Sequence, residues 1–237
     1  MLALTIGGQA GAGGPEIGQL LARSLPARYI HHLAVRRLAR RLGATVEAVS
    51  RKELSFSSRR TRVADLLELL IERLGRYGSD PVGFPGLPLY AQVPPSLRMH
   101  PAEIADDDYV KAVYDTAAQF AQEGDIVLVK RAGAITLRRF PEIIHVGLFA
   151  SRHARIMRMS RRLGVGYLDA NAAVSALDAA RRAWYEKLGG ADPSDPAIYD
   201  MKFHTDFGEE DGDVARRIVD EALDMRFGMP ASALAPA

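Results

Sequence analysis

A run of glycines at positions 7–14, GGQAGAGG, is the first feature of the sequence that could do chemistry. Glycine-rich loops between a strand and a helix bind phosphate, because their backbone N–H groups can surround an anion that the helix N-terminus also favours. The phosphate-loop template asks for Gly, four residues, then Gly-Lys-Ser/Thr. Residues 8–13 fit its first part, but Gly14 replaces the lysine and Pro15 the hydroxyl residue. The dinucleotide template Gly-x-Gly-x-x-Gly fails, since Glu16 takes its last place.

The loop is therefore expected to bind phosphate through backbone amides, without a loop lysine on the outer phosphates or a loop hydroxyl on magnesium. The alternative is that the glycines only make a tight connection between a strand and a helix. The candidate binding residues are Gly8, Gly11, Ala12, Gly13, Gly14, Pro15 and Glu16.

The cations that could replace the lysine are unevenly distributed. The 237 residues carry a net charge of +2, and their 31 basic residues are 26 arginines and five lysines, none of the lysines within the first 51 positions. Phosphate charge must then be met by arginines of the second half or by amides alone. The nearly neutral total gives no reason to expect nucleic acid. The absence of cysteine excludes disulfides, thiolate metal sites and a cysteine nucleophile.

The elements that must position this loop alternate between strands and helices. Short apolar runs predict buried strands at 2–6, 125–129 and 143–149, with a last strand at 198–204 and amphipathic helices between them. Continuous apolar strands of this kind predict a parallel sheet covered by helices on both faces. Ligands of such sheets bind at the carboxyl ends of the strands, where the glycine loop lies.

The organisation is predicted to be a single domain over 1–237 with an insertion at about 57–105. The insertion holds an apolar helix at 57–74 and a segment, 75–101, with four glycines and six prolines. It could pair subunits or contact a protein partner. No apolar run approaches the ~18 residues needed to cross a membrane, and no signal peptide is evident, so a cytoplasmic protein is expected.

Several segments resemble the cytidylate kinase-like family, relatives of bacterial cytidylate kinase. Family members start with a strand followed by Gly-Ser-Gly-Gly-Arg-Glu-Ile-Gly, which residues 11–18 match as GAGGPEIG. A strand ending in Gly-Arg is matched by Lys130-Arg131, and an Arg-rich helix by 152–158. The lid pattern Arg-x-x-Asp-x-x-Arg with an aromatic pair is matched by Asp178, Arg181, Trp184 and Tyr185, with Ser175 in its first place. The closing Tyr-Asp pair appears as Tyr199-Asp200, and the closing Asn-Thr pair as His204-Thr205.

The resemblance implies a three-layer P-loop NTPase-type α/β fold with a helical lid at about 151–190. It implies a nucleoside monophosphate kinase that transfers the γ-phosphoryl of ATP, with Mg²⁺, to CMP or a similar acceptor. Arg131 would contact the acceptor phosphate, and lid arginines would close over the transferred group. The catalytic residues it implies are Arg131, Asp178, Arg181, Arg155 and Arg158, with Arg152, Arg161 and Arg162 as further lid candidates.

The sequence also departs from the family pattern. Ser175 replaces a lid arginine, His31 takes the place of an acid, and Pro15 replaces an arginine; Gly14 is a family trait. Lys130 could replace the loop lysine, although strand alternation points it away from the side that Arg131 faces. These changes favour an alternative function: a nucleotide- or anion-binding regulatory module of the same fold that has lost catalysis. An unrelated NTPase is disfavoured, because no strand ends in an acidic magnesium-binding pair.

Overall fold

The structure, a computed structural model, describes residues 2–46, 48–49, 52, 104–129, 132–206 and 210–228. The predicted insertion therefore lies almost entirely outside the described residues, as do Lys130 and Arg131. The described elements are, in chain order, β1 (Ala3–Gly8), α1 (Gly14–Ser24), β2 (Arg28–Ile30), α2 (His32–Arg41), α3 (Asp106–Gln122), β3 (Ile126–Val129), α4 (Gly133–Thr136), β4 (Ile143–Phe149), α5 (Arg152–Leu163), α6 (Tyr167–Gly189), β5 (Met201–His204) and α7 (Asp211–Phe227).

The five strands form one parallel sheet in the order β2-β3-β1-β4-β5. The strand that leads into the glycine loop is thus central, between β3 and β4. Its register with β4 places Gly7 opposite Gly147 and Gly8 opposite Leu148. The loop therefore begins where the carboxyl ends of the two inner strands meet.

Helices cover both faces of the sheet, as the apolar strands predict. On one face, alternate residues of β1 such as Leu4 and Ile6 pack against apolar residues of α1 and α7, including Ile17 and Ile218. On the other face, the remaining strand residues pack with α2, α3 and the segment after β3. A further cluster joins α2, α3 and the end of α6. The fold is a three-layer α/β structure with a parallel sheet between two layers of helices.

Two helices after β4 form the predicted lid region. Helix α5 is capped by Ser151, whose hydroxyl accepts the N–H of Ala154 at 3.3 Å, and it ends at Gly164, which has a φ of 63°. A tight turn then returns the chain as α6. The two helices pack along their length through small and apolar residues: Ile156, Met159, Leu163, Ala170, Ala173 and Val174.

The predicted strand at 198–204 is too long. Residues Pro196–Ile198 form a short 3₁₀ helix whose first N–H, of Ala197, bonds to the Asp195 carboxylate at 2.8 Å. Ile198 belongs to this 3₁₀ helix and not to the sheet, and the strand starts only at Met201. Strand β2 is an addition that the sequence patterns did not predict. Within the described part of the chain, no helix is long and apolar enough to cross a membrane.

Candidate functional site

The loop between β1 and α1 requires glycine at several positions. Gly8, Gly11 and Gly13 have φ values of +97°, +83° and +86°, which side chains rarely adopt. At Gly8 a Cβ would also lie 2.1 Å from the carbonyl oxygen of Leu148 on β4. The loop is thus a fixed turn whose backbone comes close to its neighbours.

Helix α1 begins directly after this turn and presents its N-terminus to the site. The first backbone bond of the helix runs from the Ile17 N–H to the Gly13 carbonyl oxygen at 2.9 Å. The N–H groups of Gly14 and Glu16 precede that bond and have no partner within the helix. Together with the helix dipole they favour an anion in front of α1.

Gly14, in the lysine position of the phosphate-loop template, differs from the other loop glycines. Its φ lies outside the left-handed region, and an added Cβ would meet its nearest neighbour, Ile6 Cγ2, at 3.9 Å. That distance is an ordinary van der Waals contact. The fold therefore has room for a side chain at this position, and nothing in the described geometry requires glycine.

Three arginines from the lid helices donate hydrogen bonds to the backbone of the loop. Arg181 of α6 donates to the carbonyl oxygen of Gly8 at 2.5 Å. Arg155 and Arg158 of α5 donate to the carbonyls of Ala10 at 3.2 Å and Gly11 at 3.0 Å. Each guanidinium carries further N–H groups, so one bond to a carbonyl does not exhaust it.

Asp178 of α6 holds both the loop and an arginine. Its Oδ1 accepts the N–H of Ala10 at 3.2 Å, and its Oδ2 accepts Nη1 of Arg155 at 2.7 Å. The Arg155 side chain is only 8% exposed and that of Asp178 26%. The aspartate thus compensates a largely buried guanidinium.

Helix α5 is also tied to the starts of α1 and α7. Arg162 forms an ion pair with Glu16, and Arg158 lies 3.5 Å from a carboxylate oxygen of Asp211. Burial raises the pKa of Asp211, an effect that the Arg158 guanidinium opposes. A row of arginines along α5 therefore faces the loop and the two helix N-termini beside it.

Tyr199 is a structural partner of the loop that the site prediction omitted. Its hydroxyl accepts the N–H of Gly8 at 2.8 Å and donates to the carbonyl of Pro193 at 2.9 Å. Its ring lies against Gly7 and Gly147, where an added Cβ would come within 2.7 and 2.6 Å of ring carbons. Burial raises the pKa of the Tyr199 hydroxyl. The family pattern includes Tyr199, but only the pairing of β1 with β4 explains the facing glycines.

The remaining predicted lid arginines lie elsewhere. Arg152 binds the side chains of Asn171 and Ser175, linking α5 to α6 at the surface. Arg161 is exposed.

His31, on the acid position of the family, is buried at 3% exposure. Arg131, the predicted acceptor-binding residue, lies outside the described residues, so its contact remains a prediction.

The described residues do not fit a magnesium ion held by the protein. The loop position that would supply a hydroxyl ligand is Pro15. Among the described residues there is no group of three or more His, Asp or Glu side chains that could hold a metal. The amides of Gly8, Gln9, Ala10 and Ala12 already have partners, so a phosphate would find its donors at the start of α1 and on the adjacent arginines.

Comparison with known proteins identifies the family of the chain. A profile of the cytidylate kinase-like family matches residues 3–206. The chain belongs to the cytidylate kinase-like family. The match covers β1 to β5 and both lid helices, and it ends before α7, the helix that contributes Asp211. No curated protein matches the sequence.

Two solved structures are similar to this cytidylate kinase-like protein at low sequence identity. An uncharacterized protein from Eubacterium ventriosum is 14% identical with a TM-score of 0.61, over 93% of this chain and 97% of its own. Shikimate kinase from Acinetobacter baumannii, in complex with shikimate, is 14% identical with a TM-score of 0.47, over 96% of each chain. The first of these supports the fold alone.

Proposed function

We propose that this protein binds the phosphates of a nucleotide at the glycine loop and acts as a nucleoside monophosphate kinase with a cytidylate-like acceptor. The observation that carries the proposal is the convergence of three lid arginines on the loop that precedes α1. Phosphoryl transfer needs positioning and charge neutralisation more than covalent help from the protein. Arginine suits both tasks, because it stays charged and can bind phosphate oxygens with two parallel hydrogen bonds.

In this proposal the bond between the γ-phosphorus of ATP and the β–γ bridging oxygen breaks, and an acceptor phosphate oxygen takes the phosphoryl group. The products are ADP and a nucleoside diphosphate. The loop amides and the α1 N-terminus hold the donor phosphates. Arg155, Arg158 and Arg181 turn their remaining N–H groups toward the transferred group. Arg131 binds the acceptor phosphate, a role taken from the family resemblance.

Magnesium enters this proposal only as the ion that ATP itself carries, since the described residues offer no site for it. No step of the proposed transfer is assigned to a metal ligand of the chain. The arginines of the lid take over the neutralisation of charge that a loop lysine usually shares.

A second candidate function is nucleotide binding without transfer, in a regulatory module of the same fold. The specific observation that favours it is that the three loop-facing arginines already bond to loop carbonyls, while Gly14 and Pro15 supply neither cation nor hydroxyl. A site of this kind could hold phosphate rigidly and still lack the mobile cations of a transfer reaction.

One set of measurements separates the two functions. The purified protein is incubated with MgATP and CMP, dCMP or UMP, and diphosphate formation is followed by chromatography. The kinase proposal expects turnover that Arg131→Ala abolishes, with Arg139→Ala, at an exposed position, as the matched control. Absence of turnover together with thermal stabilisation by a nucleotide supports the second candidate. A ligand at 100 times its Kd stabilises by about 2.7 kcal/mol. If no nucleotide shifts the melting curve, both functions are excluded.

A further inference from the structure

Asp178 occupies two hydrogen-bond donors that would suit a phosphate oxygen. One is a loop amide, the N–H of Ala10 at 3.2 Å, and the other is the guanidinium of Arg155 at 2.7 Å. Loop amides and arginines are the groups with which proteins bind phosphate. A carboxylate of the chain itself thus lies where the proposed ligand would find its donors.

The aspartate reaches this position from a distant part of the chain. Asp178 is 168 residues from Ala10, on α6. The first half of α6 packs on α5, and its second half packs through Trp184, Tyr185 and Leu188 in the cluster with α2 and α3. A rotation of the Asp178 side chain or a shift of α6 would withdraw the carboxylate and leave both donors open.

Arg155 has hydrogen-bonding capacity that the contacts with Asp178 and Ala10 do not use. The residue is 6% exposed, and both of its recorded bonds come from Nη1. Its Nε is buried and has no hydrogen-bond partner in the part of the chain that the structure describes. A buried N–H without a partner is costly, so this guanidinium is prepared to bind a further acceptor.

We infer that Asp178 is an internal competitor of the ligand, a carboxylate that holds the donors of a terminal phosphate until a nucleotide displaces it. The inference rests on the proposed function in taking the ligand to be a compound with a phosphate group. A carboxylate and a phosphate cannot both take the Ala10 amide, and their like charges repel. Asp178 therefore sets the affinity of the site for phosphate. If Asp178 instead positions Arg155 for the ligand, removing the charge of Asp178 should weaken phosphate binding.

The test compares the wild type with Asp178→Asn, which keeps the shape of the side chain and an oxygen for the Ala10 amide. The Kd values of pyrophosphate and ADP are measured by calorimetry at fixed salt concentration. We expect binding about five- to tenfold tighter in the variant, the difference between a charged and a neutral hydrogen-bonding competitor. The control is Asp169→Asn, with the same charge change at an exposed position of α6, whose Kd values stay at the wild-type level. Weaker or unchanged binding in Asp178→Asn overturns the inference and leaves the proposed function standing.

Asp178→Asn leaves the largely buried cation of Arg155 without its counter-charge, and the variant could fail to fold for that reason. A measurement on the wild type covers this case. A crystal structure with pyrophosphate is expected to place a phosphate oxygen on the Ala10 N–H, with Asp178 moved out of hydrogen-bond distance. If Asp178 keeps both bonds while pyrophosphate is bound, the inference is overturned. If neither wild type nor variant binds any phosphate compound, the proposed function is overturned and the inference with it.

Discussion

Introducing the lysine of the phosphate-loop template is expected to strengthen nucleotide binding without disturbing the fold. The substitution is Gly14→Lys at the first residue of α1. A Cβ there has its nearest neighbour at 3.9 Å, and the backbone is outside the left-handed region, so the change introduces no strain. Lysine has a better helix propensity than glycine by up to ~1 kcal/mol, but a cation near the N-terminus loses about 0.3–1 kcal/mol. The two effects roughly cancel in the free energy of unfolding.

The stabilising effect of the new lysine appears only when a nucleotide is bound. The N-terminal amides of α1 that precede the Ile17 bond are the proposed place of the phosphates, and a lysine at position 14 starts beside them. A hydrogen bond to a charged group contributes about 1.5–3 kcal/mol. Since each 1.4 kcal/mol is a factor of ten, the Kd of ADP or ATP is expected to fall by roughly 10- to 100-fold.

The assay is calorimetric titration of wild type, Gly14→Lys and Gly14→Met with ADP, ATP and adenosine. Methionine is the matched control, because it fills similar space without charge. The tighter binding should be confined to the lysine variant and to ligands with phosphate, and it should weaken as salt is raised. The placement of phosphate before α1 is refuted if Gly14→Lys folds with wild-type stability and binds these nucleotides no more tightly than Gly14→Met.

Two further predictions concern buried polar groups. Tyr199→Phe keeps the ring but leaves the Gly8 amide without its bond, so the free energy of unfolding should fall by about 1–3 kcal/mol in urea titrations. The control Tyr114→Phe loses one partly buried bond to a carbonyl and should lower the free energy of unfolding by less. An equal loss in the two variants would contradict the role of Tyr199 in holding the loop. Burial lowers the pKa of His145, so the unfolded chain binds a proton below about pH 6.5 that the folded chain does not, and stability is lost as the pH falls through this range. His145→Asn, which can keep the bond to Thr5, should reduce that loss when unfolding is measured between pH 7.5 and 5.5; equal slopes in both proteins would contradict the prediction.

Much of the fold could be predicted from local patterns. Apolar runs at 2–6, 125–129 and 143–149 identify β1, β3 and β4, because a strand buried on both faces is mostly apolar. The glycine run identifies the turn, because its left-handed positions exclude side chains. Strand β2, of three residues, is too short to give a pattern, and the last strand was predicted to begin too early because Ile198 belongs to a 3₁₀ turn.

The sequence by itself determined the chemistry available to this protein: a glycine loop without lysine, followed by arginines in the second half. These are properties of composition and local spacing, which do not depend on neighbours. Only the tertiary structure decided which arginines reach the loop and that Asp178 takes a loop amide. Such contacts depend on the register of β1 against β4 and on how α5 and α6 pack, and residues far apart in the chain set both. The same register places Gly7 beside Gly147, and the ring of Tyr199 packs against both glycines. No local pattern in the sequence could indicate this contact.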